Sequence, residues 1–175
     1  DGPDGPYRQS QRLSFYREYT ERLLQEGRVY KCFCSVERLE ALRKAQIAKG
    51  EMPRYDGRCR SLSEGEISRM ESEGLRPALR FRVGRGPIVF EDLVHGRMHF
   101  DSEGIGDFII VRSDGMAAYN FACVVDDHLM HVSHVIRGED HLSNTPRQIL
   151  IIEPSDGLLP PVSYTHLRAH ETVLD

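Results

Sequence analysis

Cys32 and Cys34 stand either side of Phe33, and Cys59 follows in a loop that also holds Tyr55. Thiolates are good zinc ligands, and a tetrahedral structural site wants four donors brought together by a pair of turns. A Cys-x-Cys pair at a strand end and a cysteine in a loop beyond a helix can converge in that way. The fourth donor must come from elsewhere. Ser61 stands two residues past Cys59, where a histidine would have been convincing, and the phenolate oxygen of Tyr55 can serve instead. Three thiols with no metal are the alternative, and spacing alone leaves both readings open.

A second group of chemically capable residues runs through AYNFACVVDD, residues 118–127, into His128, His131 and His134. Three histidines invite a metal, but residues 131–136 read as a strand, which would turn side chains three apart to opposite faces. Asp126 and Asp127 could pair as catalytic carboxylates, although adjacent carboxylates usually point apart and more often cap or turn the chain. The third group is Arg137-Gly138-Glu139-Asp140-His141, where an apolar strand runs into a charged loop and then a helix start. Open α/β sheets place ligands at such strand ends, and an arginine there can grip a carboxylate bidentately. Ordinary capping in a charged loop is the alternative. Gly84-Arg85-Gly86 and Gly104-Ile105-Gly106 lack the rest of a dinucleotide-binding pattern.

The elements that must position these residues follow from periodicity. Residues 10–25 carry apolar side chains at helical spacing, with Gly27 as a stop. Residues 29–34 read as a short strand. Ser35 caps a second helix over 36–49, closed by Gly50, and 51–61 form a polar loop. Ser63 with Glu66 resembles a capping box opening a third helix that ends near Gly74. Short strands are expected at 77–83, 86–91, 97–101 and 107–113, with a turn at Ser113-Asp114-Gly115. Residues 119–125 are apolar, 132–136 are strand-like, and helix returns over about 143–152. Residues 153–175 lose the helical period at Pro154 and are expected to add nothing to a core. Their SYTHLRAHET resembles a translated sequencing-library adapter, so 153–175 are read as a non-native tail and left out of the functional argument.

Composition sets the frame. A hydrophobic fraction of 39% and a charged fraction of 29% in 175 residues suit a globular protein with a buried core. The net charge of −4 argues against a chain-wide basic surface for nucleic acid, though not against a local basic face. No apolar run reaches the roughly 18–20 residues that span a bilayer, and no export signal is visible. The four cysteines are therefore expected as reduced thiols in a cytoplasmic protein. From the residues alone, the reading is an α/β ligand-binding segment with a candidate zinc site.

The strings GPYRQSQRL, YKCFC, PRYDGRCR, RSDGMAAYNFACVVDDHLM and HVIRGEDHLSNTPRQIL, in this order and spacing, resemble the glutamyl-tRNA synthetases of bacteria over about residues 1–150. The resemblance implies an α/β fold: part of a Rossmann-type class I catalytic core, split by an inserted α+β domain that binds the tRNA acceptor stem. Residues 1–34 would end the first half of the core, 35–116 would be the insertion, and 117–152 would begin the second half. The family activates L-glutamate with ATP and Mg²⁺ and passes it to the 3′ end of tRNA(Glu). The parent enzyme is expected to be a monomer with no membrane association.

By the same resemblance, Tyr119, Cys123 and Arg137 match glutamate-binding positions, with Arg137 facing a substrate carboxylate. Asp140 and His141 match positions near ATP and the substrate pocket. Cys32, Cys34, Tyr55 and Cys59 match a zinc-binding pattern of part of the family, and Ser61 replaces the histidine some members use. Gln11 departs from the usual glutamate. No residue is assigned as a protein nucleophile, because the substrate carboxylate itself attacks the α-phosphate. The family's His-rich ATP motif would lie upstream of Asp1 and its Lys-containing loop beyond the start of the tail, so this chain by itself is expected to form no adenylate. The alternatives are the related enzyme that glutamylates queuosine in tRNA(Asp) and a non-catalytic acceptor-stem or zinc module.

Overall fold

The computed structural model describes residues 2–152 and 163–167. A turn of 3-10 helix at Gln9–Gln11 leads into α1, Leu13–Gln25, whose Tyr16, Thr20 and Leu23 are buried at helical spacing. Gly27 follows it at φ 68°, a conformation that side chains with a Cβ rarely adopt. Strand β1 is Val29–Cys32, and α2, Val36–Ala48, is capped by Ser35, whose hydroxyl accepts from the Arg38 amide. The expected capping box is present: Ser63 and Glu66 satisfy one another's backbone amides at the start of α3, Glu64–Ser72.

Strands β2 (Ala78–Phe81), β3 (Pro87–Asp92) and β4 (Gly96–Asp101) come next, then the short α4 (Ser102–Ile105) and β5 (Phe108–Val111). The apolar stretch after the turn at Gly115 is helical, forming α5, Tyr119–Leu129. Strand β6, His134–Gly138, begins later than the sequence suggested, because His131 adopts φ 55° in the turn that precedes it. A 3-10 segment, Glu139–Asn144, leads into α6, Thr145–Ile152.

Two sheets result. In the first, β1, β2 and β5 lie side by side and antiparallel. In the second, the order is β4-β3-β7-β6, where β7 is Ser163–Leu167 and runs parallel to β6. The β3–β4 hairpin thus hydrogen bonds into the sheet that holds the Arg137 strand, through the pairing of Asp92 with Tyr164. Strand β7 corrects the expectation that nothing after residue 152 joins the core. Tyr164 and His166 are buried, and His166 Nδ1 stands 2.6 Å from the buried Asp92 carboxylate. A five-residue stretch with β-branched and aromatic side chains suits a central strand whatever its origin. Residues 153–162 and 168–175, the rest of that stretch, lie outside the described residues.

The main core gathers α1, α5, the first sheet and α6 around Phe121, Val125 and Ile110, all at most 1% exposed. Its polar clamp is Arg12, also buried, whose Nε donates to Asp126 Oδ1 at 2.6 Å. Tyr16 donates its hydroxyl to Asp126 Oδ2 at 2.7 Å, and Arg12 Nη1 reaches the Pro6 carbonyl at 2.8 Å. One carboxylate on α5 therefore fixes both α1 and the glycine- and proline-rich loop before it. Among the described residues, no helix is long and apolar enough to cross a membrane.

Removing one partner of a buried pair strands the other. Arg12→Ala is expected to lower the unfolding free energy by about 3 kcal/mol in urea titrations. In an Asp126→Asn background the same substitution is expected to cost clearly less, as a double-mutant cycle would show.

Candidate active site and cysteine centre

Helix α5 buries Phe121, Val124 and Val125 on one side. Tyr119, Cys123 and Asp127, four residues apart in turn, share the other. The second sheet brings Arg137, near the C-terminal end of β6, toward this line of side chains. Its proximity favours the ionised forms of the Tyr119 hydroxyl, the Cys123 thiol and the Asp127 carboxyl. Burial outweighs it in each case and raises all three pKa values, with the adjacent Asp126 adding to the effect on Asp127.

Arg137 is held from behind. Its Nη2 donates to Gln148 Oε1 at 2.9 Å and to Thr145 Oγ1, and its Nε donates to His166 Nε2 at 3.0 Å. His141 lies beside Tyr119, its Nδ1 3.5 Å from the Tyr119 hydroxyl. The structure thus brings Tyr119, Cys123, Arg137 and His141 together. Asp140 instead faces solvent, with its carboxylate 3.5 Å from His141 Nε2. Asp126 and Asp127 do not pair: Asp126 accepts from Arg12 and Tyr16, whereas Asp127, four residues from Cys123, shares the Tyr119 face.

The three histidines do not converge. His128 is on α5 against the Tyr19 ring, His131 is in the turn, and His134 is exposed on β6. Among the described residues, only Cys32, Cys34 and Cys59 form a group able to hold a metal.

That second centre is assembled by the first sheet. Cys32 ends β1, Cys34 lies just beyond it, and the loop after α2 returns Tyr55 and Cys59. The three sulfurs lie within 4.8 Å of one another, with Cys34 and Cys59 3.6 Å apart. The Tyr55 hydroxyl is 3.5 Å from the Cys32 sulfur and 3.4 Å from that of Cys34. Tetrahedral zinc with Zn–S near 2.3 Å and Zn–O near 2.0 Å has edges of about 3.8 Å between sulfurs and about 3.5 Å from sulfur to oxygen. The donors present fit such an ion, with Tyr55 as the oxygen. Ser61 is exposed and outside the group.

Two arginines attend the centre. Arg80 donates from Nε to the Cys32 sulfur at 3.2 Å and lies over the Tyr55 ring at 3.8 Å, and Arg38 donates to Cys34 at 3.4 Å. Burial raises the Cys34 thiol to about 11, whereas Tyr55 and Arg80 offset burial at Cys32 and lower its pKa. Arg80 is in turn fixed by the Asp107 carbonyl at 3.2 Å, and the Asp107 carboxylate accepts from the Tyr30 hydroxyl at 2.6 Å and the Val83 amide at 2.8 Å. Neither arginine was found from the sequence. Arg38 has a weak signal, lying one helical turn from Cys34.

The mixed fold, with Arg137 near the end of a parallel strand and a separate antiparallel sheet carrying a sulfur centre, matches class I synthetase catalytic domains. The chain belongs to the family described as tRNA synthetases class I (E and Q), catalytic domain, whose model matches residues 1–173. It is 56% identical over 161 residues to the glutamate–tRNA ligase of Heliobacterium modesticaldum, covering 91% of this chain and 32% of that protein. It is 53% identical over 172 residues to that of Bacillus pumilus, covering 98% of this chain and 36% of that one. The crystal structure of a glutamate tRNA ligase from Elizabethkingia meningosepticum, in complex with its amino acid, superposes with a TM-score of 0.86 at 32% identity, over 95% of this chain and 34% of that one. The chain thus spans about a third of the length of these relatives.

Folding raises the pKa of Asp127, so the carboxylate ionised at neutral pH opposes the fold and the protonated form does not. Asp127→Asn is therefore expected to raise the melting temperature at pH 7. The gain is expected to fade as the pH falls through the ordinary carboxylate range, where the wild-type group is protonated in folded and unfolded chains alike. Calorimetry across that range checks both parts.

Proposed function

We propose that this chain carries the amino-acid side of a glutamate–tRNA ligase active site. In the whole enzyme, ATP with Mg²⁺ activates L-glutamate, and the glutamyl group passes to the 3′ end of tRNA(Glu) in the cytoplasm. The observation that carries the reading is Arg137: a cation near the end of a parallel strand, facing Tyr119 and Cys123, in a chain about half identical to glutamate–tRNA ligases. Its Nη1, the guanidinium nitrogen that Gln148, Thr145 and His166 do not hold, can donate to the side-chain carboxylate of glutamate in a charge-assisted bond. Tyr119 adds a hydroxyl, and Cys123 lines the pocket wall.

With the substrate so held, its α-carboxylate attacks the α-phosphate of ATP and pyrophosphate leaves. A ribose hydroxyl of the tRNA then attacks the carbonyl carbon and AMP leaves. The protein positions these groups and balances charge; no side chain need form a bond. Residues 1–34 and 117–152 belong to the catalytic core in this reading, and 35–116 to the part that meets the acceptor end. Asp140 and His141 lie on the side expected to face ATP. Glutamylation of queuosine in tRNA(Asp) is the less favoured reaction, since the relatives compared above are glutamate–tRNA ligases.

L-Glutamate is expected to bind this chain saturably in calorimetric titrations. Arg137→Ala is expected to weaken it by about 30-fold or more, the worth of a charge-assisted pair. Binding that ignores Arg137→Ala would refute the assignment.

We also propose that Cys32, Cys34, Tyr55 and Cys59 hold one structural zinc ion, which would tie the end of β1 to the loop after α2. Cobalt substitution is expected to give the visible spectrum of a tetrahedral, sulfur-rich site at one ion per chain. Cys32→Ser is expected to abolish that spectrum. Tyr55→Phe is expected to shift it and to weaken binding by at least about tenfold, as even outer-shell partners count for that much.

A further inference from the structure

Gln148 is 2% exposed and does not line the pocket, yet its side-chain amide connects the two elements that do. Its Oε1 accepts from Arg137 Nη2 at 2.9 Å, and its Nε2 donates to Asn120 Oδ1 at 3.2 Å. Asn120 is the neighbour of Tyr119 on α5. Asn120 Nδ2 then donates to Asn144 Oδ1 at 3.4 Å, and Asn144 Nδ2 stands 3.4 Å from His141 Nδ1, the atom that faces the Tyr119 hydroxyl.

The polarity of this chain has a single origin. A guanidinium only donates, so the Gln148 oxygen must face Arg137 and its NH₂ must face Asn120. Each later amide is thereby set, and His141 Nδ1 is left as an acceptor. The His141 proton then sits on Nε2, on the side of Asp140.

The residue type matters as much as the position. A glutamate at 148 could make the same bond to Arg137, but it would bring a buried negative charge to the cation that must pair with the substrate. An amide orients the guanidinium without adding a negative charge. Thr145, its other partner on α6, is likewise an uncharged acceptor.

We propose that Gln148 is a positioning residue for carboxylate recognition: it aims Arg137 through a neutral acceptor, adding no further negative charge beside the cation, and transmits that orientation through Asn120 and Asn144 to His141 and Tyr119. This rests on the glutamate-binding reading of Arg137.

The test compares wild-type chain, Gln148→Glu and Gln148→Met by calorimetric titration with L-glutamate, with urea unfolding of each. Rotation of the Arg137 guanidinium is followed by nitrogen-15 NMR without ligand. Gln148→Glu is expected to unfold no more easily than wild type and still to lose at least about tenfold in glutamate affinity. Gln148→Met keeps the charge and loses the bond; it is expected to weaken affinity only a few-fold and to speed guanidinium rotation. A merely structural glutamine predicts the opposite order, with the hydrogen-bonding Glu variant rescuing function and the Met variant worse. Glutamate affinity in Gln148→Glu within twofold of wild type would overturn the inference and leave the proposed function standing. Failure of the wild-type chain to bind glutamate would instead overturn the reading of Arg137 beneath it. Unchanged guanidinium rotation in Gln148→Met would by itself remove Gln148 as the group that aims Arg137.

Discussion

The Asp126 carboxylate is the point on which the packing of α1 against α5 turns. Arg12 and Tyr16 occupy its two oxygens from one side, and this fixes which face of α5 meets α1. Burial, with help from Asp126 itself, pushes the Tyr16 pKa well up, so its hydroxyl stays protonated as the donor. With α1 settled, Phe121, Val124 and Val125 are committed to the core, and Tyr119, Cys123 and Asp127 are left toward Arg137. Asp126 and its neighbour Asp127 differ by one position and belong to different machinery. The first is matched by a buried cation. The second is half-buried against its own preference for water, near Arg137.

The two centres are built by different means. The pocket around Arg137 depends on side chains far apart in sequence, held by a polar network behind them. The sulfur centre depends on one strand end and one loop, and on two arginines that keep clustered acidic groups tolerable. Arg80 also binds the loop at Asp107, whose carboxylate anchors Tyr30 and the Val83 amide, so the centre and the first sheet share one set of hydrogen bonds. Sulfur and phenol oxygen atoms buried this close together stay protonated unless positive charge nearby, from arginine or from a metal, stabilises their anions.

Much of this was legible in the residues. The caps at Ser35 and Ser63, the stops at Gly27 and Gly50, and the short strands from 77 to 113 follow from local chemistry that the fold keeps. The convergence of Cys32, Cys34, Tyr55 and Cys59 followed from spacing once a strand end and a return loop were assumed. Other features were hidden because they are tertiary. Nothing local says that Arg12 meets Asp126, that Arg80 meets Cys32, or that the β3–β4 hairpin joins, through β7, the sheet that holds Arg137. The late start of β6 was missed because Val132 looks like strand, while the turn is made by His131 in a left-handed conformation. The expectation for 153–175 failed at 163–167 because it judged the segment by its composition and origin, whereas a central strand asks only for five residues of suitable shape.

The separation of 114 positions from Arg12 to Asp126 also sets an order of assembly. As the chain leaves the ribosome, the sulfur centre has all its ligands once Cys59 has emerged, so that region can close early and locally. The buried stripe of α1 has β1 beside it at that stage but not α5, which is made much later. Closing so long a loop costs entropy before any contact repays it. The face of α1 that meets α5 must therefore wait until the intervening strands have been made.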